Sequence, residues 1–217
     1  LGISEKLATR RTYKVIGDVA SPVKKTAVTT QTIDQILEES ANAPFHYGCD
    51  RIHRSSLTSC LPWRAYKLDT KACNKLMAAL IDSDDSTKVP NMLAAADYFI
   101  QVTWLPDEGT IINRDAGKDE QAFVGTLRNM EHIAAASAFI QSLLLAGEEQ
   151  GYMTYWSSGG ALKSAIVFDH LNISHSELLL GSVFFFSRDE QHTEIKSGAM
   201  KDARGESHEW SKWCEIF

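Results

Sequence analysis

Positive charge is scarce in this chain. Lysine and arginine total 22 against 28 aspartates and glutamates, leaving a net charge of −6 at neutral pH. Binding a nucleic acid backbone requires a basic face, so this balance argues against nucleic acid as a partner. Cysteine is sparse and unpatterned: Cys49, Cys60, Cys73 and Cys214 form no C-x-x-C pair, and free thiols in a reducing compartment are expected. The seven histidines include no H-E-x-x-H and none at ligand spacing with cysteine, so no zinc site is expected. A P-loop, a G-x-S-x-G elbow and a G-x-G-x-x-G fingerprint are all missing, which disfavours nucleotide-triphosphate, serine-hydrolase and Rossmann readings. Long apolar runs are missing too. The most apolar stretch, 133–147, is interrupted by Ser137, Gln141 and Ser142 and falls short of the roughly 20 residues a membrane span needs. It reads as a buried core helix. The first residues show no basic-then-apolar leader pattern, and a cytoplasmic protein with no membrane contact is the expectation.

What is present suits a packed globular fold. The chain has 217 residues, 44% hydrophobic and 23% charged, enough to bury a sizeable core. No repeat or low-complexity linker interrupts it, so one domain over 1–217 is expected. Residues 3–10 form a short helix ending at a double arginine, and 16–28 read as an irregular connection. Thr30 caps a helix with Ile33, Ile36 and Leu37 on one face, ended by Pro44. Residues 45–62 make a polar loop of unusual length, the kind that is functional or mobile. Residues 63–69 alternate as a strand does, and Thr70 caps a helix carrying Leu76, Met77 and Leu80. Residues 97–104 are aromatic and β-branched and read as a central strand. A charged, exposed excursion is expected over 105–120, followed by one long helix from about Gln121 to Gln150 that serves as a core axis or a dimer seam. A short strand follows Gly151, then a helix over roughly 161–171. Leu178 to Phe186 forms the last strand, buried on both faces. The tail carries Trp210, Trp213 and Phe217, costly to leave in water at about 25 cal/mol per Å², so it is expected to dock, with a partner subunit as the candidate. Strands and helices alternate only loosely, which favours α+β over a doubly wound fold.

Three short segments stand out as parts of one anion- and ring-binding site. They are Arg10-Arg11-Thr12, then Asn42-Ala43-Pro44-Phe45-His46 with Pro62-Trp63-Arg64, and Gly151-Tyr152-Met153-Thr154-Tyr155-Trp156-Ser157-Ser158-Gly159. Each has an ordinary reading alone. The arginines suit a solvated helix end, His46 a surface loop, and the glycine turn a helix C-cap with a packed tryptophan. Together and in this order they resemble the FMN-dependent nitroreductase family, closest to its short, single-domain NAD(P)H members.

That resemblance implies an α+β fold, a mixed or antiparallel sheet flanked by helices around a long core helix, with a C-terminal extension. It implies a homodimer with FMN at the subunit interface, reduced by NADH or NADPH and reoxidised by a nitro, quinone or similar small acceptor. Arginine forks and hydroxyls match phosphate oxygens, so Arg10, Arg11 and Thr12 are the expected phosphate ligands. The resemblance also points to Asn42 and His46 at the ribityl chain or ring edge, with His46 reaching across the interface, and to Trp156, Ser157 and Ser158 against the flavin. No side chain is expected to act as nucleophile or general acid, because the cofactor carries the redox chemistry. The chain departs from the pattern in places. Phe45, Ser59 and Leu61 stand where the family has Ser, Asn and Gln, Ser157 stands where close relatives carry Arg, and the 45–61 loop is longer. A flavin storage or sensor protein and a substrate-specific flavin dehydrogenase therefore remain alternatives. Arg204 matches only loosely a basic tail residue that assists the phosphate in the family.

Overall fold

The computed structural model describes residues 2–24, 30–83, 87–108, 110, 123, 125–188, 194–201 and 203–214. From the N-terminus, α1 (Ile3–Thr9) leads into β1 (Tyr13–Ile16), α2 (Thr30–Ser40), β2 (Trp63–Asp69), α3 (Thr70–Asp82), α4 (Val89–Ala95) and β3 (Tyr98–Trp104). Then come α5 (Leu127–Glu149), β4 (Met153–Ser157), α6 (Ala165–His170), β5 (Leu178–Phe186), β6 (Glu194–Ser197) and α7 (Ser207–Trp210).

The architecture is α+β. Four strands form an antiparallel sheet in the order β2-β3-β5-β4, while β1 and β6 form a separate antiparallel ribbon. Side chains alternate across a strand, so each strand of the sheet feeds two cores. Phe99, Phe184 and Phe186 pack with Cys73, Leu76 and Leu80 of α3, Leu93 of α4 and Phe168 of α6. Ile100, Val102, Val183 and Phe185 face the other way, onto Ile33 and Ile36 of α2 and Phe139, Ile140 and Leu143 of α5. The Val183–Phe186 run has no solvent exposure at all, as its unbroken apolar character requires for a strand covered on both sides.

Several local expectations are corrected. Asp69, not Thr70, caps α3, its carboxylate accepting from Ala72 N–H at 2.7 Å. Thr70 is the first helical residue, and its hydroxyl donates to the Asp97 carbonyl at 3.0 Å. The long helix begins at Leu127, where Thr126 accepts from Asn129 N–H at 3.0 Å, so its 23 residues span about 35 Å at 1.5 Å per residue. By length and composition α5 is the one helix among the described residues that matches a membrane span, but it packs on the sheet as a core helix. The sequence reading lacked α4, and β5 is not the last strand, since β6 follows and pairs with β1. Most of the expected 105–120 excursion, Gln121 and Phe217 lie outside the described residues.

The tail does not bury its tryptophans within the chain: Trp210 is 70% and Trp213 100% exposed. On α5, Leu127 and Met130 are likewise open, at 67% and 61%.

Candidate functional site

Arg10 sits at the C-terminal end of α1, where its backbone N–H bonds to Lys6. The chain then turns into β1, whose pairing with β6 sets Tyr13 opposite Ser197 and Ile16 opposite Glu194. That pairing brings the distant tail back to the double arginine. Gly198 N–H donates to the Thr12 carbonyl at 2.8 Å. Lys201 Nζ donates to the carbonyls of Ala8 and, at 3.1 Å, Arg10.

The Arg10 guanidinium is half-buried, and its Nη1 is sealed from solvent without a hydrogen-bond partner. Burial pulls its pKa below the ordinary arginine value, nearby Glu148 pushes it back up, and Arg204 lowers it further. The guanidinium stays charged, as arginine does in proteins. A buried donor with no acceptor is rare in folded proteins; the opposite charge acting on it is Glu148, whose Oε2 is likewise sealed and without a hydrogen bond. Arg11 and Thr12 are half-buried beside it.

The Trp156 segment lies at the same edge of the molecule, because β1 runs beside β4. Lys14 Nζ sits 5.8 Å from the Tyr155 ring centroid. The Arg188 guanidinium lies 5.5 Å from the Tyr13 ring, and its Nε donates to the Gly151 carbonyl at 3.2 Å. Trp156 is half-buried with its Nε1 sealed and unbonded, and its indole lies directly over Gly181. Ser157 closes the β4–β5 ladder opposite Ser182, and Ser158 is exposed just beyond it. The turn that follows depends on glycine: Gly159 has φ +142° and Gly160 φ +63°, a region that side chains with a Cβ avoid.

Asn42 and His46 belong to a second group. The Asn42 Nδ2 donates to the Glu38 and Glu39 carbonyls at 3.3 and 3.1 Å, closing the end of its own helix. His46 stacks on Tyr47 at 5.1 Å. Phe45 meets Trp63 edge-on at 6.0 Å, and Trp63 stacks on Phe139 of α5 at 5.2 Å. Between this segment and α5 is an open cavity of about 330 Å³ lined by Pro44, Phe45, His46, Glu131, Ala134 and Ala138. Arg10 is near Glu148, at the other end of α5. From Ala135 to Glu148 the axial distance is about 20 Å at 1.5 Å per residue. Arg10 thus lies toward the C-terminal end of α5, with β1 beside β4, while the cavity at His46 lies toward the other end of the helix.

Arg64 corrects the sequence reading. It is only 4% exposed, and its guanidinium is spent on backbone carbonyls of Leu61, Trp63, His53, Leu57 and Ser59. It is no part of an anion site. Lys201 bonds to the Arg10 carbonyl and Arg204 acts on the Arg10 charge; of the two, the sequence points only to Arg204, as a loose match to a basic residue of the family's tail.

No family model matches the sequence, and no curated protein matches it. Solved structures do. The nitroreductase-like family protein of Bacillus cereus superposes with a TM-score of 0.65 at 17% identity, covering 100% of this chain and 97% of its own. The chain has the nitroreductase fold. A single-residue variant of the FMN- and NADPH-dependent nitroreductase NfnB from Sphigopyxis sp. strain HMH matches at 0.60 and 16% identity, with 100% of both chains covered. A nitroreductase-type protein of Desulfovibrio desulfuricans, solved in complex with FMN, matches at 0.55 and 16% identity, covering 95% of this chain and 97% of its own. The nitroreductase fold therefore extends over the whole chain, including the tail that meets Arg10.

Proposed function

We propose that residues 1–217 form one FMN-binding domain of a cytoplasmic NAD(P)H-dependent oxidoreductase, working as a homodimer on a nitro, quinone or similar small acceptor. The observation that best supports this reading is the nitroreductase fold over the whole chain, which sets the half-buried Arg10 within electrostatic reach of Arg204. A phosphate fits that donor set: two guanidinium groups offer fork geometry, and Arg11, the Thr12 hydroxyl and Lys201 lie next to it. Trp156, Ser157 and Ser158 stand beside the phosphate group's position and form the wall for the ribityl chain and ring.

The separation of the two residue groups supports a dimer. The open face of α5 carries Leu127, Met130 and Ala134 and continues, half-buried, through Ala138, Gln141 and Leu145. When two copies pair these faces in antiparallel fashion, the N-terminal half of one helix lies beside the C-terminal half of the other. Asn42 and His46 of a second copy then approach the Arg10 end of the first. Apolar cover from the partner also excludes water from the ring and gives the exposed tail tryptophans a surface to dock on.

Bound flavin supplies the hydride and electron chemistry between nicotinamide and acceptor. The chain's residues bind and orient. Arg10 and Arg204 neutralise the phosphate, Trp156 and the Gly159 turn shape the pocket wall, and His46 offers a ring nitrogen to the ring edge. The test is a visible spectrum of the protein mixed with FMN, followed by anaerobic addition of NADH or NADPH. A bound flavin spectrum that bleaches with nicotinamide is expected; bound flavin that stays oxidised under both nicotinamides would overturn the reductase assignment.

A further inference from the structure

We propose that Arg64 is a positioning residue for the electron acceptor, acting as the plug of a closed loop that fixes Phe45 and His46 as one wall of the cavity against α5. The inference rests on the proposed flavin site, with His46 at the ring edge, and takes the cavity beside it as the acceptor's place. Cys49 N–H donates to the Cys60 carbonyl at 2.9 Å and so closes the ends of the 49–60 loop on each other. The Arg64 guanidinium fills the ring thus formed. Nη1 donates to Leu61 and Trp63, both at 2.9 Å, and Nη2 to His53 at 2.8 Å and to Leu57 and Ser59 at 3.1 Å. The Cys49 sulfur lies 3.7 Å from Nη2.

The loop's outer edge is pinned as well. His53 Nε2 meets the Pro106 carbonyl at 2.8 Å. Arg128 of α5 donates to the Gly48 carbonyl at 3.1 Å and pairs with Asp50 at 3.1 Å. Gly48 lies two residues after His46, so the loop is tied to the same helix that forms the far wall of the cavity. A segment of this length, open to solvent at Ile52 and Leu57, has no hydrophobic core of its own. The guanidinium substitutes for one by satisfying several carbonyls at once, which is what its fixed fork of donors allows. Without it those carbonyls turn to water, the loop opens and Phe45 and His46 lose their fixed placement.

The experiment compares wild type, R64M and R64K, using FMN-loaded protein and menadione as the quinone probe. The expected result for R64M is a KM for menadione raised by about tenfold with kcat held within about twofold, and a smaller fall in FMN affinity, since His46 also stands at the ring edge in the proposed site. Amide exchange across 49–60 should accelerate in parallel. R64K, with three donors on a flexible stem, should rescue part of both effects, and it carries the test if R64M does not fold. A menadione KM equal to wild type in the folded variants, or exchange at 49–60 that does not change, overturns the proposal. Wild type that binds no FMN overturns the underlying functional reading, and that result is seen before any variant is made.

Discussion

Gly181→Ala is a sharp test of how the Trp156 wall is held. Gly181 lies on β5, next to the register shift between Val102 and Thr103 on β3. A Cβ built there would stand 1.9 Å from Trp156 Nε1, 2.6 Å from Cδ1 and 3.0 Å from Cε2. Contacts this short cannot be relieved by a few tenths of an ångström, so the indole must swing off the strand. Overpacking of this kind costs about 1–3 kcal/mol, offset by about 0.4–1 kcal/mol from the stiffer unfolded chain. A net loss of about 1.3 kcal/mol corresponds to a melting temperature lowered by about 3–5 °C for a chain of this size. Gly125→Ala is the control, because a Cβ there meets nothing within 4 Å. Thermal melts of both variants, with tryptophan emission and FMN quenching recorded alongside, read out the effect. Gly181→Ala that melts like wild type and keeps its tryptophan emission refutes the packing argument.

Three further outcomes are expected. Arg10→Met should weaken FMN binding by about 10–100-fold, the equivalent of about 1.5–3 kcal/mol for a charge-assisted contact, while leaving the melt nearly unchanged; fluorescence titration checks it. Met130→Glu places a charge on the open face of α5, so light scattering should report monomers and FMN affinity should fall with the loss of the dimer. The third outcome concerns alkaline pH. Burial pushes the Cys73 thiol far above its ordinary value, helped by the charges of Asp69 and Asp97. In the unfolded chain that thiol ionises near pH 8.5, so the unfolded state loses its proton first as pH rises. The stability it contributes is whole below that pH and falls by about 1.4 kcal/mol per unit above it. Urea melts from pH 7 to 10 should show this slope, and Cys73→Ala should flatten it.

What the sequence disclosed depended on pattern strength. The sheet's centre was legible because Val183 to Phe186 is apolar without a break, as a strand covered on both faces is written, and Tyr98 to Trp104 is aromatic and β-branched apart from Gln101. β6 was not, since Glu194-Ile195-Lys196-Ser197 is short and mostly charged, and its partner is at the other end of the chain. Asp69 and Thr70 are both cap formers side by side, so the pattern left the helix start open by one residue. Proline at the start of α4 was a usable signal that a seven-residue helix is too short to reinforce. At the site, the motifs pointed to Arg10 and Trp156; β1, which follows the first, lies beside β4, which contains the second. Arg204, only a loose match to a basic tail residue in the sequence, is brought back toward Arg10 by the β1–β6 ribbon, a long-range pairing. Arg64 entered the sequence reading only with the Pro62-Trp63 segment, with no role of its own, because its acceptors are carbonyls that come together only when the 49–60 loop closes.

The most direct test compares FMN with riboflavin by calorimetric titration of the wild-type protein. The two ligands share the ring and ribityl chain and differ only in the phosphate that Arg10 and Arg204 are proposed to hold. Two charge-assisted contacts of about 1.5–3 kcal/mol each imply FMN tighter by about 10²–10⁴-fold, with one flavin bound per chain. Equal affinity for the two, or no heat with either, would contradict the proposed phosphate site.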